Sequence, residues 1–163
     1  MSRRFLTAAL SAVAALVIGS GCNQPDTVES NKALMQQYHV DIWERHDLGT
    51  VDTYMAPDFV SHANTPDTPP GPGPVKGFLG ALFTAFPDLT SENDGVLGDG
   101  DKVVIQWTIR GTQTGDLFGM PPTGKPIEVS GMDVLRVQNG QFVEHWGGIG
   151  DQFPKIYTQL QGQ

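Results

Sequence analysis

The stretch GMDVLRVQNGQFVEHWGGIGD, Gly131 to Asp151, decides the fold. Asn139-Gly140 separates two runs of alternating character. A two-residue type I′ turn needs positive φ at both central positions, and this dipeptide tolerates that best. Fixing the turn fixes a hairpin register. Counted outward without interruption, Gln138 faces Gln141, Val137 faces Phe142, Leu135 faces Glu144 and Asp133 faces Trp146. One face then reads Gly131, Asp133, Leu135, Val137, Phe142, Glu144 and Trp146, with His145 opposite Val134 on the other. A carboxylate on a mostly apolar face, beside an indole, does not describe a plain core, where a lone charge is costly. It predicts a ligand pocket.

Upstream of the hairpin the pattern is mixed. Lys102 to Arg110 alternates Val103, Ile105, Trp107 and Ile109 against Val104, Gln106, Thr108 and Arg110, and Asp99-Gly100 before it supplies another turn. Thr90–Gly98 and the short Phe59–His62 complete five strands. Helical spacing predicts helices over Lys32–Glu44, Leu48–Met55 and Val75–Phe86. Asn64 to Pro74, with five prolines, reads as a loop, and Gly111 to Lys125 as a long connection. Helices first and antiparallel strands later imply a single α+β domain, its helices packed on one face of a curved sheet.

The N-terminus reads differently. Arg3 and Arg4 precede an apolar run from Leu6 to Ile18, and small residues lead to Cys22, the only cysteine. This describes a leader over residues 1–21, followed by a polar tether over 22–31 and the folded domain over 32–163. The run is too short to read as a membrane span. Gly21-Cys22 resembles a bacterial lipoprotein box, which implies a lipidated Cys22 and an exported protein anchored on the periplasmic or cell-surface side. Cleavage before an unmodified Cys22 is the alternative. Without the leader the chain keeps 142 residues, with 8 basic against 18 acidic ones and a net charge of −10. So acidic a domain argues against nucleic acid and against electrostatic binding to anionic lipid.

GTQTGDLFGMPPTGK (Gly111–Lys125), the hairpin with its trailing Asp151, DLGTVDTYMAPDFVSH (Asp47–His62) and FPDL (Phe86–Leu89) together resemble the SnoaL-like polyketide cyclases, also called ester cyclases. The resemblance implies the cone-shaped α+β fold shared with nuclear transport factor 2, scytalone dehydratase and ketosteroid isomerase. It implies that Asp151, just past the last strand, is the acid/base of an intramolecular aldol closure needing no cofactor. The histidine on the preceding strand of characterised cyclases aligns with Asp133, and the histidine of the family's turn before PPTGK is replaced by Gln113.

A carboxylate in an apolar cavity suits the base role because desolvation raises its pKa toward working pH. Asp151 as base, with Asp133 orienting it or donating, is therefore the leading catalytic assignment. The plainer alternatives are a cap on the terminal segment Gln152–Gln159 for Asp151, and a structural carboxylate bonded to a backbone amide or to the Trp146 indole for Asp133. His62 stands at the cavity mouth or on the surface. His39 and His46 read as surface residues. Trp43, Trp146, Phe83 and Phe118 are the candidate substrate-binding aromatics, each with an ordinary core role as its competitor. The histidine spacing offers no metal motif.

Two functions follow. One is a cofactor-free cyclase, lyase or isomerase acting on a small hydrophobic carbonyl compound. The other is a lipoprotein that holds a hydrophobic molecule in the same cone without reacting it. A homodimer through the outer sheet face fits either.

Overall fold

The computed structural model describes residues 27–162. The expected leader and Cys22 fall outside them. Strands β1 (Met55–Ser61), β2 (Thr90–Asp99), β3 (Lys102–Thr112), β4 (Pro126–Gln138) and β5 (Gln141–Gly147) form one open, curved sheet in the order β1-β5-β4-β3-β2. All neighbours are antiparallel except β1 and β5, which run parallel. Helices α1 (Val28–Tyr38), α2 (Val51–Tyr54), α3 (Pro72–Ala85) and α4 (Phe153–Gln161) pack against it. The α+β expectation therefore holds. None of the described helices is long and apolar enough to cross a membrane.

Two helix starts depart from expectation for local reasons. Helix α1 begins inside the stretch read as a tether. Thr27 Oγ1 accepts from Ser30 N at 3.1 Å while Ser30 Oγ accepts from Thr27 N at 2.8 Å, a reciprocal cap that satisfies two amides. Asn31, buried, donates to Gly100 O and pins the helix to the β2–β3 turn. Helix α3 begins inside the proline-rich loop, with Pro72 and Pro74 in its first turn. The amides there have no intrahelical partner anyway, so proline costs little. After Tyr38 the first helix widens into a π-helical turn, His39–Glu44, that buries His39 and Ile42.

The inner face of the sheet carries the core: Val103, Ile105, Trp107 and Ile109 from β3, Ile127, Val129, Leu135 and Val137 from β4, and Phe142 from β5. Against them pack Met35, Leu79, Leu82, Phe86, Ile156 and Leu160 from the helices. Helix α4 is fastened to β4 by Gln159, whose side chain accepts from Glu128 N and donates to Glu128 O, both at 2.8 Å.

The hairpin turn forms as expected, with φ of 54° at Asn139 and 75° at Gly140, and Gln138–Gln141 and Val137–Phe142 pair. Beyond that the uninterrupted register fails. Val143 is an extra residue, so Arg136 faces Glu144, Leu135 faces His145, Val134 faces Trp146 and Asp133 faces Gly147. A bulge of this kind sends every later side chain to the opposite face. It also sets Arg136 Nε 3.0 Å from Glu144 Oε2, an opposite-charge pair in place of Leu135 against Glu144.

Candidate active site

Between the sheet's inner face and helices α1 and α3 lies a cavity of about 300 Å³. Its walls are mostly apolar, with Met35, Trp43, Phe59, Phe78, Ile105 and Leu135 among them. Polar groups enter from Tyr38, Ser61, Asp133, His145 and Asp151. A largely apolar chamber with a few convergent polar groups is the usual form of a small-molecule site.

Asp133 is the centre of the polar set. The Trp107 indole N–H donates to its Oδ2 at 2.6 Å, and His145 Nε2 lies 2.6 Å from its Oδ1. An ionised carboxylate only accepts, so the proton on Nε2 belongs to His145. The other ring nitrogen, Nδ1, lies 2.8 Å from Ser61 Oγ on the parallel strand β1. Four residues from β3, β4, β5 and β1 thus form one hydrogen-bonded line across the sheet. The expected structural alternative for Asp133, an indole partner, is half present: the indole is that of Trp107, not Trp146.

Close backbone approach makes the line possible. Gly131 lies opposite Trp107, and a Cβ there would stand 2.6 Å from the indole ring. Gly148 crosses the Asp133–His145 pair with φ of 100°; a Cβ there would stand 2.7 Å from Asp133 Oδ1. Tyr38 sits across from the carboxylate. Burial first, then the charge of Asp133, push its phenol well above the ordinary range, while a hydrogen bond from Trp43 pulls the other way. Tyr38 therefore enters the cavity as a neutral hydroxyl. Among the described residues no cluster of three or more His, Cys, Asp or Glu side chains is placed to hold a metal.

The family model for SnoaL-like polyketide cyclases matches residues 33–156. The chain belongs to that family. No curated protein matches it. Among solved structures it is similar to IdmH from Streptomyces antibioticus, assigned as a polyketide cyclase, with 29% identity over 72% of this chain and 90% of that one and a TM-score of 0.61. A protein from Acidithiobacillus ferrooxidans with the same assignment shares 28% identity over 82% of this chain and 95% of its own, at a TM-score of 0.66. A SnoaL-like protein from Jannaschia sp. CCS1, at 23% identity, 88% and 99% coverage and a TM-score of 0.74, speaks for the fold alone.

Within this SnoaL-like frame the sequence-predicted residues divide. Asp133, Asp151 and Trp43 line the cavity. Asp151 does so from the short 3-10 turn Ile149–Gln152, exposed, and the N-cap position of α4 falls on Gln152, which makes no side-chain cap, rather than on Asp151. Trp146 and His62 do not line it. The bulge turns Trp146 to the outer face, where His62 stacks on it at 4.8 Å and Lys102 covers it at 5.4 Å. Phe83 packs edge-on against Trp43 and stacks on His46, outside the lining. Phe118 is half exposed one layer out, against the lining residues Phe78 and Phe153.

The sequence reading missed four residues. His145, assigned to the far face, is the partner of Asp133. Charge pairing of Arg136 with Glu144 was the signal that would have placed the bulge. Ser61 is brought in only by the parallel β1–β5 pairing. Tyr38 carried no sequence signal beyond its helical spacing. His39, read as a surface residue, is 2% exposed, lines the cavity and bonds Ser91 O at 3.0 Å. Gln113, the departure from the family's turn, is fully buried; it donates to the carbonyls of Gly115, Met120 and Pro121 and accepts from Thr123. Its role is to hold the loop before β4.

Proposed function

We propose that this SnoaL-like protein catalyses cofactor-free proton transfer on a small apolar carbonyl compound, as an intramolecular aldol closure or an isomerisation. We further propose that it works outside the cytoplasm, anchored through a lipid on Cys22. Family membership supports the reaction class. The observation that carries the reading is the meeting of Asp151 and the Asp133–His145 pair on one apolar chamber. Such chemistry needs a base beside an acidic C–H and a proton source beside the carbonyl oxygen. Asp151 is the base in this reading, since its carboxylate is not tied into the line of hydrogen bonds. The Asp133–His145 pair serves the oxygen. Asp133 itself does not take the proton, because both its oxygens are already engaged.

That same engagement favours the second reading, a carrier that binds an apolar carbonyl compound without reacting it. Exchange of the α-protons of 1-tetralone in D2O, followed by NMR, separates the two. The catalyst reading expects faster exchange with the protein and its loss in Asp151→Asn and His145→Gln. Tetralone that binds but exchanges no faster than in buffer leaves only the carrier.

A further inference from the structure

We propose that Ser61 is the proton relay of the cavity, passing a proton from His145 to the oxygen of the bound carbonyl compound. The inference rests on the proton-transfer reading above and names the group that touches the substrate oxygen.

Both oxygens of Asp133 are taken, one by the Trp107 indole and one by His145 Nε2. Nε2 is committed to that carboxylate. The only ring nitrogen left to His145 is Nδ1, and Ser61 Oγ covers it at 2.8 Å. A proton leaving the imidazole for the cavity therefore passes through the hydroxyl. A serine hydroxyl suits this, because it accepts with a lone pair while donating its own hydrogen elsewhere. Ser61 lines the cavity and is half buried, so its free side meets a ligand.

Charge gives a second reason. Asp133 is close enough to disfavour ionisation of Tyr38, and it would equally disfavour a bare enolate at that wall. A relay removes the difficulty by delivering a proton as the charge forms. The step starts from the imidazolium, with one N–H on Asp133 and the other on Ser61 Oγ; the α C–H bond breaks and its proton passes to the Asp151 carboxylate. The bonding pair becomes the new C=C bond, and the carbonyl π pair moves to oxygen. That oxygen takes the Ser61 proton, Oγ takes the Nδ1 proton, and His145 is left neutral with Nε2–H still on Asp133. The product is a neutral enol, ready to attack a second carbonyl or to be protonated at another carbon.

The 1-tetralone exchange assay on the full chain tests this with Ser61→Ala and Ser61→Thr. Around His145 the titratable groups are Asp133 from β4, Tyr38 and His39 at the end of α1, and Asp151 after β5, with Glu144 turned outward onto Arg136. The expected result for Ser61→Ala is exchange slowed about 10²-fold, the scale of one acid/base or oxyanion contact. Tetralone affinity should stay as in wild type, and the thermal midpoint should fall only by a few degrees. Ser61→Thr keeps a hydroxyl and should keep most of the exchange rate. Ser61→Ala with the wild-type rate, while Asp151→Asn is inactive, overturns the relay and spares the proton-transfer reading. A threonine variant as slow as alanine also overturns the relay. Wild-type protein that does not exchange tetralone overturns both.

Discussion

His145 Nε2 stands 2.6 Å from Asp133 Oδ1 because a single residue, Val143, is left out of the β4–β5 pairing. Without that bulge the imidazole would lie on the opposite face of the sheet from the carboxylate. The pair is held from both sides, by Trp107 on the carboxylate and Ser61 on the imidazole.

Removing the centre of this line should therefore cost more than removing an end. Asp133→Ala strands the Trp107 and His145 donors in a largely apolar wall, and each unsatisfied buried donor costs about 1–3 kcal/mol. We expect a loss of about 3 kcal/mol in urea unfolding for Asp133→Ala, and about 1 kcal/mol for Ser61→Ala, whose partner can turn to a ligand or water. Equal losses would mean that the line is not organised around the carboxylate.

Gly148 offers an independent probe of the same wall. Its φ of 100° is disfavoured for residues with a Cβ, and an added methyl would meet Asp133 Oδ1 at 2.7 Å. Gly148→Ala should destabilise the protein by about 1–3 kcal/mol, the range for such backbone strain, and should weaken ligand binding along with it. Gly150→Ala, where an added Cβ meets nothing within 4 Å, is the matched control. Thermal melts of the two variants make the comparison.

Tryptophan fluorescence can map the cavity. Trp43 and Trp107 line it, while Trp146 lies on the outer face beneath Lys102 and beside His62. On adding 1-tetralone, the response of Trp146→Phe should match wild type in size, and that of Trp43→Phe should be reduced. A response that vanishes with Trp146 would place the ligand on the wrong side of the sheet.

The alkaline limb of stability should carry a signature of Tyr54. Burial, and then its hydrogen bond to the Asp41 carboxylate, push its phenol up to about 12. The unfolded chain has a tyrosine pKa of about 10, so the fold holds this proton the tighter. The contribution is complete below pH about 10 and is lost as pH rises through about 12. Asp41→Asn removes the acceptor charge and should move the tyrosinate absorbance change of Tyr54 to lower pH. On the acid side the sign reverses: Asp41, whose pKa is lowered chiefly by the Tyr54 hydroxyl, gives its contribution above the ordinary carboxylate value and loses it as pH falls.

Much of the scaffold was legible because it is written in local signals. Asn139-Gly140 specifies its own dihedrals, the alternation from Lys102 to Arg110 specifies a half-buried strand, and both appear in the structure. The site was legible only in part. Asp133 and Asp151 stood out as carboxylates in apolar company. The residues that complete the wall depend on two non-local facts. One is the bulge at Val143, which no glycine or proline announces and which depends on the opposite strand. The other is the parallel seating of β1 on β5, which brings Ser61 to His145 across 84 residues. Patterns read along the chain report on faces; they do not report which edge of a sheet a distant strand will join.

That seating also orders events in time. The first strand of the sheet pairs with the last, so β1 has no strand neighbour until residues 141–147 have been made and the hairpin has closed. Pairing across such a sequence distance is slow, because the entropy of closing the loop is lost before any contact repays it. β2, β3 and β4 can assemble as a meander while β1 waits. A chain shortened before β5 keeps Asp133 and Trp107 but lacks His145 and leaves Ser61 unseated. The sheet and the cavity's hydrogen-bonded line are therefore completed by the same late event, and an incomplete chain carries no half-working version of the site.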